Sequence, residues 1–315
     1  MRIGIIDVGT NSIHLLIGEI DRDRSFRVVR KARELTRLGD EGLVSGALTP
    51  RAMRRGIAVL RRYATLLKRH RTGQIEAVAT SAVREAKNGP AFVRRVRARL
   101  GLPLRIISGR EEARLIYLGL RQGARFHQGA LILWIGGGSA QVIVGDEERP
   151  RYLTSLPLGA ARLTQRFIRH DPPRAEEIEA LCRHTRRAWA PAIRAIRRRR
   201  WQQSLGGSVM MRELMLAAYS LQRRRPPIEE RRLSISRRTL QRLVAWLSTS
   251  TAAERKLLAG VDPRREDLLL ATGIVLLTWM DGCGISRLRF APGSLREGLV
   301  ADCLEFIPTP PSHYR

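Results

Sequence analysis

The residues best suited to chemistry lie in two short glycine-rich segments, each of which follows an apolar stretch. The first runs from Asp7 to Ser12 (DVGTNS) and the second from Trp134 to Ser139 (WIGGGS). Glycines let backbone N–H groups approach a bound oxyanion, and hydroxyl and amide side chains add further donors. A plain hairpin turn also favours Gly, Asn and Ser, so a single copy would be ambiguous. Two copies together predict a phosphate site.

The flanking sequence indicates that both segments are copies of one structural unit. Predicted strands at 3–6 and 15–20 enclose the first segment, and predicted strands at 131–133 and 142–144 enclose the second. Asp7 and Trp134 therefore occupy equivalent positions. This repetition predicts a duplicated domain with a ligand cleft between the two halves.

Two further turns are placed to present donors to an anion. A predicted strand at 75–79 leads into Thr80, Ser81 and Arg84 at the start of a helix, although an ordinary capped helix start fits this pattern equally well. The run from Ser204 to Ser208 (SLGGS) resembles a third phosphate-facing turn before a helix.

The helix that begins near residue 109 carries the candidate base. The sequence from Ser108 to Glu111 (SGRE) fits a capping box, in which the glutamate folds back onto the N-cap amide. Glu111 thus has a predicted structural role, whereas Glu112 has none in this pattern. Glu112 could face the cleft as a base, or it could be an exposed residue that favours the helix dipole.

The charge of the chain predicts polyanionic partners. The formal net charge is +29, and Lys31, Lys68, Lys87 and Lys256 are its only lysines. Such a field attracts polyphosphate, nucleic acid or anionic lipid, and arginine suits bidentate phosphate contacts. A coding bias that places arginine on every solvated face explains the excess equally well. Nucleic acid is possible but less favoured than polyphosphate, because no helix-turn-helix, RNA-binding aromatic motif or zinc spacing accompanies the charge.

Cysteine usage and hydropathy favour a cytoplasmic protein without membrane contact. Cys182, Cys283 and Cys303 lie far apart and form no metal-binding pattern, so we expect buried thiols in a reducing compartment. The amino terminus is interrupted by polar residues before any signal sequence can be recognised. The apolar stretch 268–280 is too short to span a bilayer and predicts a buried helix. A homodimer remains an open alternative to a monomer.

The alternation of helices and strands predicts the α/β class. Hydrophobic residues make up 43% of the 315 residues and aromatic residues only 5%, as suits aliphatic cores around parallel strands. Thr49 and Pro50 are typical of an N-cap and first helical residue. After residue 145 the chain becomes more helical and more basic, with a long helix predicted at 172–201. The tail 308–315 is predicted to be disordered.

Five segments, in this order, resemble the exopolyphosphatase/guanosine pentaphosphate phosphohydrolase (Ppx/GppA) family in its short two-domain form. They are IGIIDVGTNSIHLLIGEI, AVATSAVREAKNG, IISGREEARLIYLGL, LILWIGGGSAQVIVGD and SLREGL. The resemblance implies an α/β fold of duplicated actin-like (ASKHA, ribonuclease H-like) domains with an interdomain cleft. It implies domains at 1–123 and 124–293, with the last helix, about 294–306, completing the first domain.

The resemblance also implies a reaction and the residues for it. In that family water attacks the terminal phosphoryl group of polyphosphate or of the guanosine alarmone pppGpp, with a glutamate base and Mg²⁺ (or Mn²⁺). The base matches Glu112, the metal ligand matches Asp7, and Glu297 of the R-E-G motif is expected to order the last helix. The implied phosphate-binding residues are Gly9, Thr10, Asn11, Ser12, Thr80, Ser81, Arg84, Gly136, Gly137, Gly138, Ser139, Gly207 and Ser208.

Several positions depart from the family pattern. Members usually read Asp-Ile-Gly-Gly-Gly-Ser-Thr-Glu in the second loop, so Trp134 replaces an aspartate and Gln141 replaces a glutamate. Val209 and Met210 stand where a Gly-Thr pair is usual, and Pro292 stands where an aspartate is usual. Two carboxylates near the metal are lost, which predicts a weakly bound ion. A catalytically impaired regulator that binds polyphosphate or the alarmone is therefore the alternative to an enzyme.

Overall fold

Two mixed β-sheets organise the chain, and the computed structural model describes residues 1–306 except 22, 24, 41 and 127. The first sheet contains β1 (Arg2–Val8), β2 (Ser12–Ile20), β3 (Phe26–Leu35), β4 (Gln74–Ala79) and β5 (Leu104–Ile106). The second sheet contains β6 (Ala130–Ile135), β7 (Ala140–Gly145), β8 (Pro150–Leu156), β9 (Gln203–Gly207), β10 (Ser234–Ser236) and β11 (Arg287–Phe290). The tail that was predicted to be disordered lies outside the described residues.

Helices connect and cover these strands. In the first half they are α1 (Gly42–Ser45), α2 (Pro50–Arg69), α3 (Ser81–Glu85), α4 (Gly89–Leu100) and α5 (Gly109–Arg121). After β6 they are α6 (Ala160–Phe167), α7 (Ala175–Ile196), α8 (Val209–Leu221), α9 (Arg237–Leu247), α10 (Ala252–Lys256), α11 (Leu269–Cys283) and α12 (Leu295–Phe306). Two short 3₁₀ helices occupy Glu230–Arg232 and Pro263–Leu268.

The two sheets share one strand order, as expected if the chain contains the predicted duplicated unit. The first sheet reads β3-β2-β1-β4-β5, with an antiparallel β1-β2-β3 unit and β4 and β5 running parallel to β1. The second sheet reads β8-β7-β6-β9-β11, with the same directions and β10 added at the edge. Asp7 pairs with His14, and Trp134 pairs with Gln141, so equivalent positions pair in each copy.

Helices α5 and α12 lie in a hydrophobic core that joins the two sheets. This core combines Ile3 and Ile5 of β1, Ile132 of β6, Leu115 of α5 and Leu299 of α12, all of them buried. Helix α12 packs against α5 and β1, and α5 also contacts β7 and β8 of the second sheet. The first turn of α5 is therefore held between the two halves. The domain limits at 1–123 and 124–293 remain a prediction.

Local sequence signals explain most helix boundaries. The Thr49 hydroxyl accepts a hydrogen bond from the Ala52 amide at 3.2 Å, and Pro50 begins α2, as predicted. The apolar stretch near 268–280 forms α11, and no helix among the described residues is long and apolar enough to cross a membrane. The helix predicted at 172–201 is shorter in the structure, where α7 begins at Ala175 and ends at Ile196. The arginine run that follows forms a turn.

The predicted capping box at the start of α5 was half wrong. The Ser108 hydroxyl does accept a hydrogen bond from the Glu111 amide at 3.1 Å. The Glu111 carboxylate, however, accepts a hydrogen bond from Arg105 at 2.6 Å instead of folding back onto the N-cap amide. A guanidinium offers a stronger, charge-assisted partner than a backbone N–H group, and sequence spacing alone does not reveal it.

The contact between α5 and α12 generates a stability prediction. A Cβ atom on Gly298 would lie 1.7 Å from the Leu115 carbonyl oxygen, so the two helix backbones touch where no side chain fits. Gly298→Ala is expected to lower the free energy of unfolding by about 3 kcal/mol or more, as judged by urea unfolding. Gly73→Ala is the matched control and should change it by less than about 0.5 kcal/mol, because its Cβ would meet only the Arg2 carbonyl oxygen at 3.8 Å. Equal stability of the two variants would contradict this packing.

Candidate phosphate-binding and catalytic cleft

A cleft of about 310 Å³ opens where the two sheets meet. Most of the residues singled out from the sequence line it. They are Asp7, Gly9, Thr10, Asn11, Ser12, Thr80, Ser81, Glu112, Trp134, Gly136, Gly137, Gly138, Ser139, Ser208, Val209, Met210 and Pro292. The two glycine-rich segments, which lie far apart in sequence, thus face one shared space.

The two glycine-rich loops are built alike and contact each other. The Gly9 amide donates to the Ser12 carbonyl at 3.1 Å, and the Gly136 amide donates to the Ser139 carbonyl at 2.9 Å. A Cβ atom on Gly138 would lie 2.5 Å from the hydroxyl oxygens of both Thr10 and Ser81. Only glycine permits this approach, so the two halves converge on donors that a single phosphoryl group could reach.

Arg162, at the start of α6, links the two halves beside these loops. Its Nε donates to the Gly138 carbonyl at 2.8 Å, while its Nη2 donates to the Ser81 hydroxyl at 3.4 Å and to the Glu85 carboxylate at 2.5 Å. A single arginine within an ordinary amphipathic helix gives no sequence signal of its own, and the sequence analysis missed this residue.

Glu112 is buried on the cleft side of α5, only 7% exposed. Arg84 donates to its carboxylate at 2.8 Å and to the Ile107 carbonyl at 3.1 Å. The pKa of Glu112 is raised to about 7, mainly by burial. Arg84 lowers it and the negative charge of Asp7 raises it, and both effects are included in that value. A carboxyl group with a pKa near neutrality can accept a proton at physiological pH.

Asp7 supplies a second carboxylate to the same cleft. Burial raises the pKa of Asp7 from its ordinary value of 3.8 to about 6, Arg296 lowers it, and Glu297 raises it. Glu297 itself bonds to the Ser294 hydroxyl at the start of α12, and its own pKa is lowered by that hydrogen bond and by Arg296, against the effect of burial.

Three further cleft residues, His14, Arg265 and Arg296, were not anticipated from the sequence. The His14 Nδ1 atom accepts a hydrogen bond from Arg296 at 2.9 Å. Burial, together with the charges of Arg296, Arg33 and Arg265, holds the pKa of His14 well below its ordinary range, so the ring is neutral. Arg265 is buried in an ion pair with Glu213. These arginines lie apart in sequence, and only the tertiary fold gathers them.

The positions that depart from the family pattern form neutral contacts. Gln141 is fully buried and donates to the hydroxyls of Ser139 at 2.8 Å and Ser155 at 3.2 Å. The Trp134 ring lies on Gly207, where a Cβ atom would come within 2.5 Å of the ring. Ser208 has φ +108° and ψ 159°, a conformation that is rare for residues with a side chain.

Several predicted site residues do not face the cleft. Arg84, Gln141 and Gly207 are absent from the cleft lining among the described residues, since Arg84 is engaged by Glu112 and Gly207 is covered by Trp134. Thr80 does line the cleft, but its hydroxyl donates to the Val8 carbonyl at 3.4 Å. Two arginine runs that belong to the chain's basic excess, at 197–200 and 223–225, also lie outside the described lining.

The residues present do not form a ready-made metal cage. Within residues 1–306, apart from the four omitted positions, no group of three His, Cys, Asp or Glu side chains is arranged to hold a metal ion. Mg²⁺ in phosphoryl-transfer sites needs only one or two carboxylates, with substrate phosphates and water as its other ligands. Asp7 fits this lesser role, whereas Trp134 supplies no ligand at the equivalent position.

Comparison with known proteins identifies the family. The sequence model of the Ppx/GppA phosphatase family matches residues 16–306. The chain belongs to the Ppx/GppA phosphatase family. Exopolyphosphatase 1 of Mycobacterium tuberculosis is a relative of 30% identity over 307 residues, which cover 95% of this chain and 87% of that protein.

Solved structures of Ppx/GppA proteins have the same fold. An exopolyphosphatase from Cytophaga hutchinsonii superposes with a TM-score of 0.88 at 28% identity, covering 98% of this chain and 99% of that chain. The Aquifex aeolicus member of the Ppx/GppA family gives a TM-score of 0.78 at 25% identity, covering 97% and 98%. These similarities, with the repeated strand order of the two sheets, confirm the predicted α/β fold with a duplicated unit.

The raised pKa of Asp7 predicts a stability cost at neutral pH. Because the folded-state pKa of about 6 exceeds the ordinary value of 3.8, stability is lost as the pH rises from about 4 through 6. Asp7→Asn is expected to raise the free energy of unfolding by about 1–3 kcal/mol at pH 8 and to leave it unchanged near pH 3.5. Part of Asp7 is solvent-accessible, which favours the lower end of this range.

Glu179→Gln provides the matched control in urea unfolding at both pH values. It removes one negative charge from an exposed i,i+4 pair with Arg183, whose glutamate side chain is 70% exposed. Its effect should stay within about 0.5 kcal/mol at both pH values. A variant of Asp7 that is no more stable than wild type at pH 8 would show that the carboxylate is well solvated.

Proposed function

We propose that this protein hydrolyses the terminal phosphoanhydride bond of polyphosphate or of a guanosine pentaphosphate, with Glu112 activating the attacking water. The observation that carries this proposal is a buried carboxyl group with a pKa of about 7 beside two converging glycine loops. Membership of the Ppx/GppA phosphatase family, with relatives named exopolyphosphatase, supports the substrate class.

In this proposal the loops bind and Glu112 takes the proton. Backbone amides of the segments 9–12 and 136–139, with the Thr10 and Ser81 hydroxyls, hold the terminal phosphoryl oxygens. The water oxygen attacks phosphorus, its proton passes to Glu112, and the bridging P–O bond breaks to release phosphate and the shortened chain. Arg84 orients the Glu112 carboxylate before the attack. Arg296, which lines the same cleft, offsets part of the charge of the remaining phosphates.

A divalent ion would enter with the substrate. Asp7 is the residue that would hold Mg²⁺ or Mn²⁺, together with phosphate oxygens and water. Such an ion neutralises phosphate charge and so eases attack by water on a polyanion. With Trp134 at the equivalent position in the second loop, weak binding is expected.

A second candidate function is binding without turnover. The observation that favours it is the neutral second loop, where Trp134 and Gln141 replace two carboxylates and Gln141 is fully buried among hydroxyl groups. Fewer negative charges favour anion binding, while catalysis of phosphoryl transfer depends strongly on electrostatic stabilisation. In this case polyphosphate or the alarmone would be retained in the cleft as a signal.

Substitution of Glu112 tests the enzymatic proposal. Glu112→Gln keeps the size of the side chain but cannot accept the proton, so phosphate release from polyphosphate or pppGpp should fall by about 10²–10⁴-fold. In wild type the rate should rise about tenfold per pH unit below 7 and level off above it, because only the deprotonated carboxylate acts. Glu112→Gln should lose this dependence.

The neighbouring Glu111 provides a matched control, since Glu111→Gln makes the same change on the same helix turn away from the cleft. Its rate should stay within about twofold of wild type. If wild type releases no more phosphate than the Glu112→Gln and Glu112→Ala variants with Mg²⁺ or Mn²⁺, the enzymatic proposal fails. Tight substrate binding in the presence of a chelator would then select the binding function.

Restoring both carboxylates tests whether the second loop limits turnover. The double variant Trp134→Asp/Gln141→Glu is expected to raise Mg²⁺-dependent phosphate release by about tenfold or more, because a second group of acidic ligands can hold the ion against the phosphates. The same double change combined with Glu112→Gln should give no gain. A correctly folded double variant with unchanged or lower turnover would contradict this reading of the loop.

A further inference from the structure

One wall of the cleft is apolar, and it lies directly beside the glycine loops. Six side chains form it: Trp134, Val209, Met210, Phe290, Pro292 and Leu295. A uniformly charged phosphate chain would gain nothing from contact with this apolar wall.

Trp134 is the part of this wall best placed to contact a ligand. Its ring rests on Gly207, and a Cβ atom at that position would lie 2.5 Å from the ring carbon Cε3. Because Gly207 has no side chain, the ring can lie directly against its backbone. Part of Trp134 remains exposed in the cleft. A seated, partly exposed aromatic ring is a stacking surface for a flat group.

The charges of the cleft fit a ligand with two different ends. Arg296 lines the cleft together with the glycine loops, so phosphate groups meet a positive charge and backbone donors there. The space of about 310 Å³ lies at the lower end of the range for pockets that bury whole small molecules. A phosphate chain joined to a flat apolar ring would match both walls.

We propose that the cleft selects an organic phosphoanhydride, with its terminal phosphate between the glycine loops and its flat ring against Trp134, over inorganic polyphosphate of equal phosphate number. This inference rests on the proposed function for the position of the phosphates. The ligand class is a ring-bearing polyphosphate ester, of which nucleoside triphosphates are the available probes.

Binding to a protein that cannot turn over its ligand tests the preference. Dissociation constants of inorganic tripolyphosphate, ATP and GTP are measured by calorimetry with Glu112→Gln at fixed salt and Mg²⁺. Tripolyphosphate carries more negative charge, so electrostatics alone would favour it on this basic protein. We expect at least one nucleoside triphosphate to bind about tenfold more tightly, the gain that stacking of one base typically provides.

Variants of Trp134 locate the preference. Added to Glu112→Gln, Trp134→Leu should abolish the ratio between nucleoside triphosphate and tripolyphosphate, and Trp134→Phe should retain most of it. Trp246→Leu, on α9 and absent from the described cleft lining, is the matched control and should leave the ratio unchanged. If Trp134→Leu still binds a nucleoside triphosphate about tenfold more tightly than tripolyphosphate, Trp134 is not the residue that contacts the ring of the ligand.

A measurement on the wild-type protein avoids any dependence on the folding of variants. Titration with GTP or ATP should quench the tryptophan fluorescence, whereas tripolyphosphate should change it little. Equal or tighter binding of tripolyphosphate would overturn the inference even if phosphate release is observed. Conversely, tighter binding of a nucleoside triphosphate without any phosphate release would contradict the enzymatic proposal and would still support the proposed ligand class.

Discussion

The contact of Gly138 with the hydroxyl groups of Thr10 and Ser81 is the constraint on which the cleft depends. No side chain fits between the loops at this point, so the amides of both halves come close enough to serve one phosphoryl group. Arg162 reinforces the contact from the second half by bonding the Gly138 carbonyl and the Ser81 hydroxyl. Any separation of the two sheets would take the proposed phosphate site apart.

The position of α5 couples this geometry to the acid–base properties of Glu112. The helix lies in the core between the sheets, where Leu115 packs with residues of both halves. Its first turn is thereby shielded from water, and burial raises the pKa of Glu112 to about 7 while Arg84 keeps the carboxyl group paired. The packing that holds the two halves together therefore also raises the pKa of the candidate base. A change in this core is expected to affect both the stability of the fold and the proposed activity.

The sequence could predict those parts of the fold and cleft that depend on local pattern. The repeated glycine loops, the alternating strands, Glu112 and the buried helix α11 all carry signals in period or in residue type. Strand β3 was missed because charged residues occupy half of its positions and it lies at the sheet edge. Arg162 and Arg265 were missed because their roles arise from contacts across long stretches of chain.

The residues that depart from the family pattern in the second half are accommodated to different degrees. Trp134 fits because Gly207 has no side chain. Two hydroxyl groups accept the amide hydrogens of Gln141, but its Oε1 atom is buried without a hydrogen-bond partner among the described residues. Next to Trp134, the non-glycine residue Ser208 holds a conformation with φ +108°, a strain that persists only where the surroundings enforce it. The unpaired acceptor of Gln141 carries an energetic cost, whereas the Trp134 side chain leaves no buried polar atom of its own unmatched within the described part of the chain. The two substitutions therefore differ in kind: Trp134 provides a packed, neutral aromatic surface, and Gln141 is a buried polar group that is matched only in part.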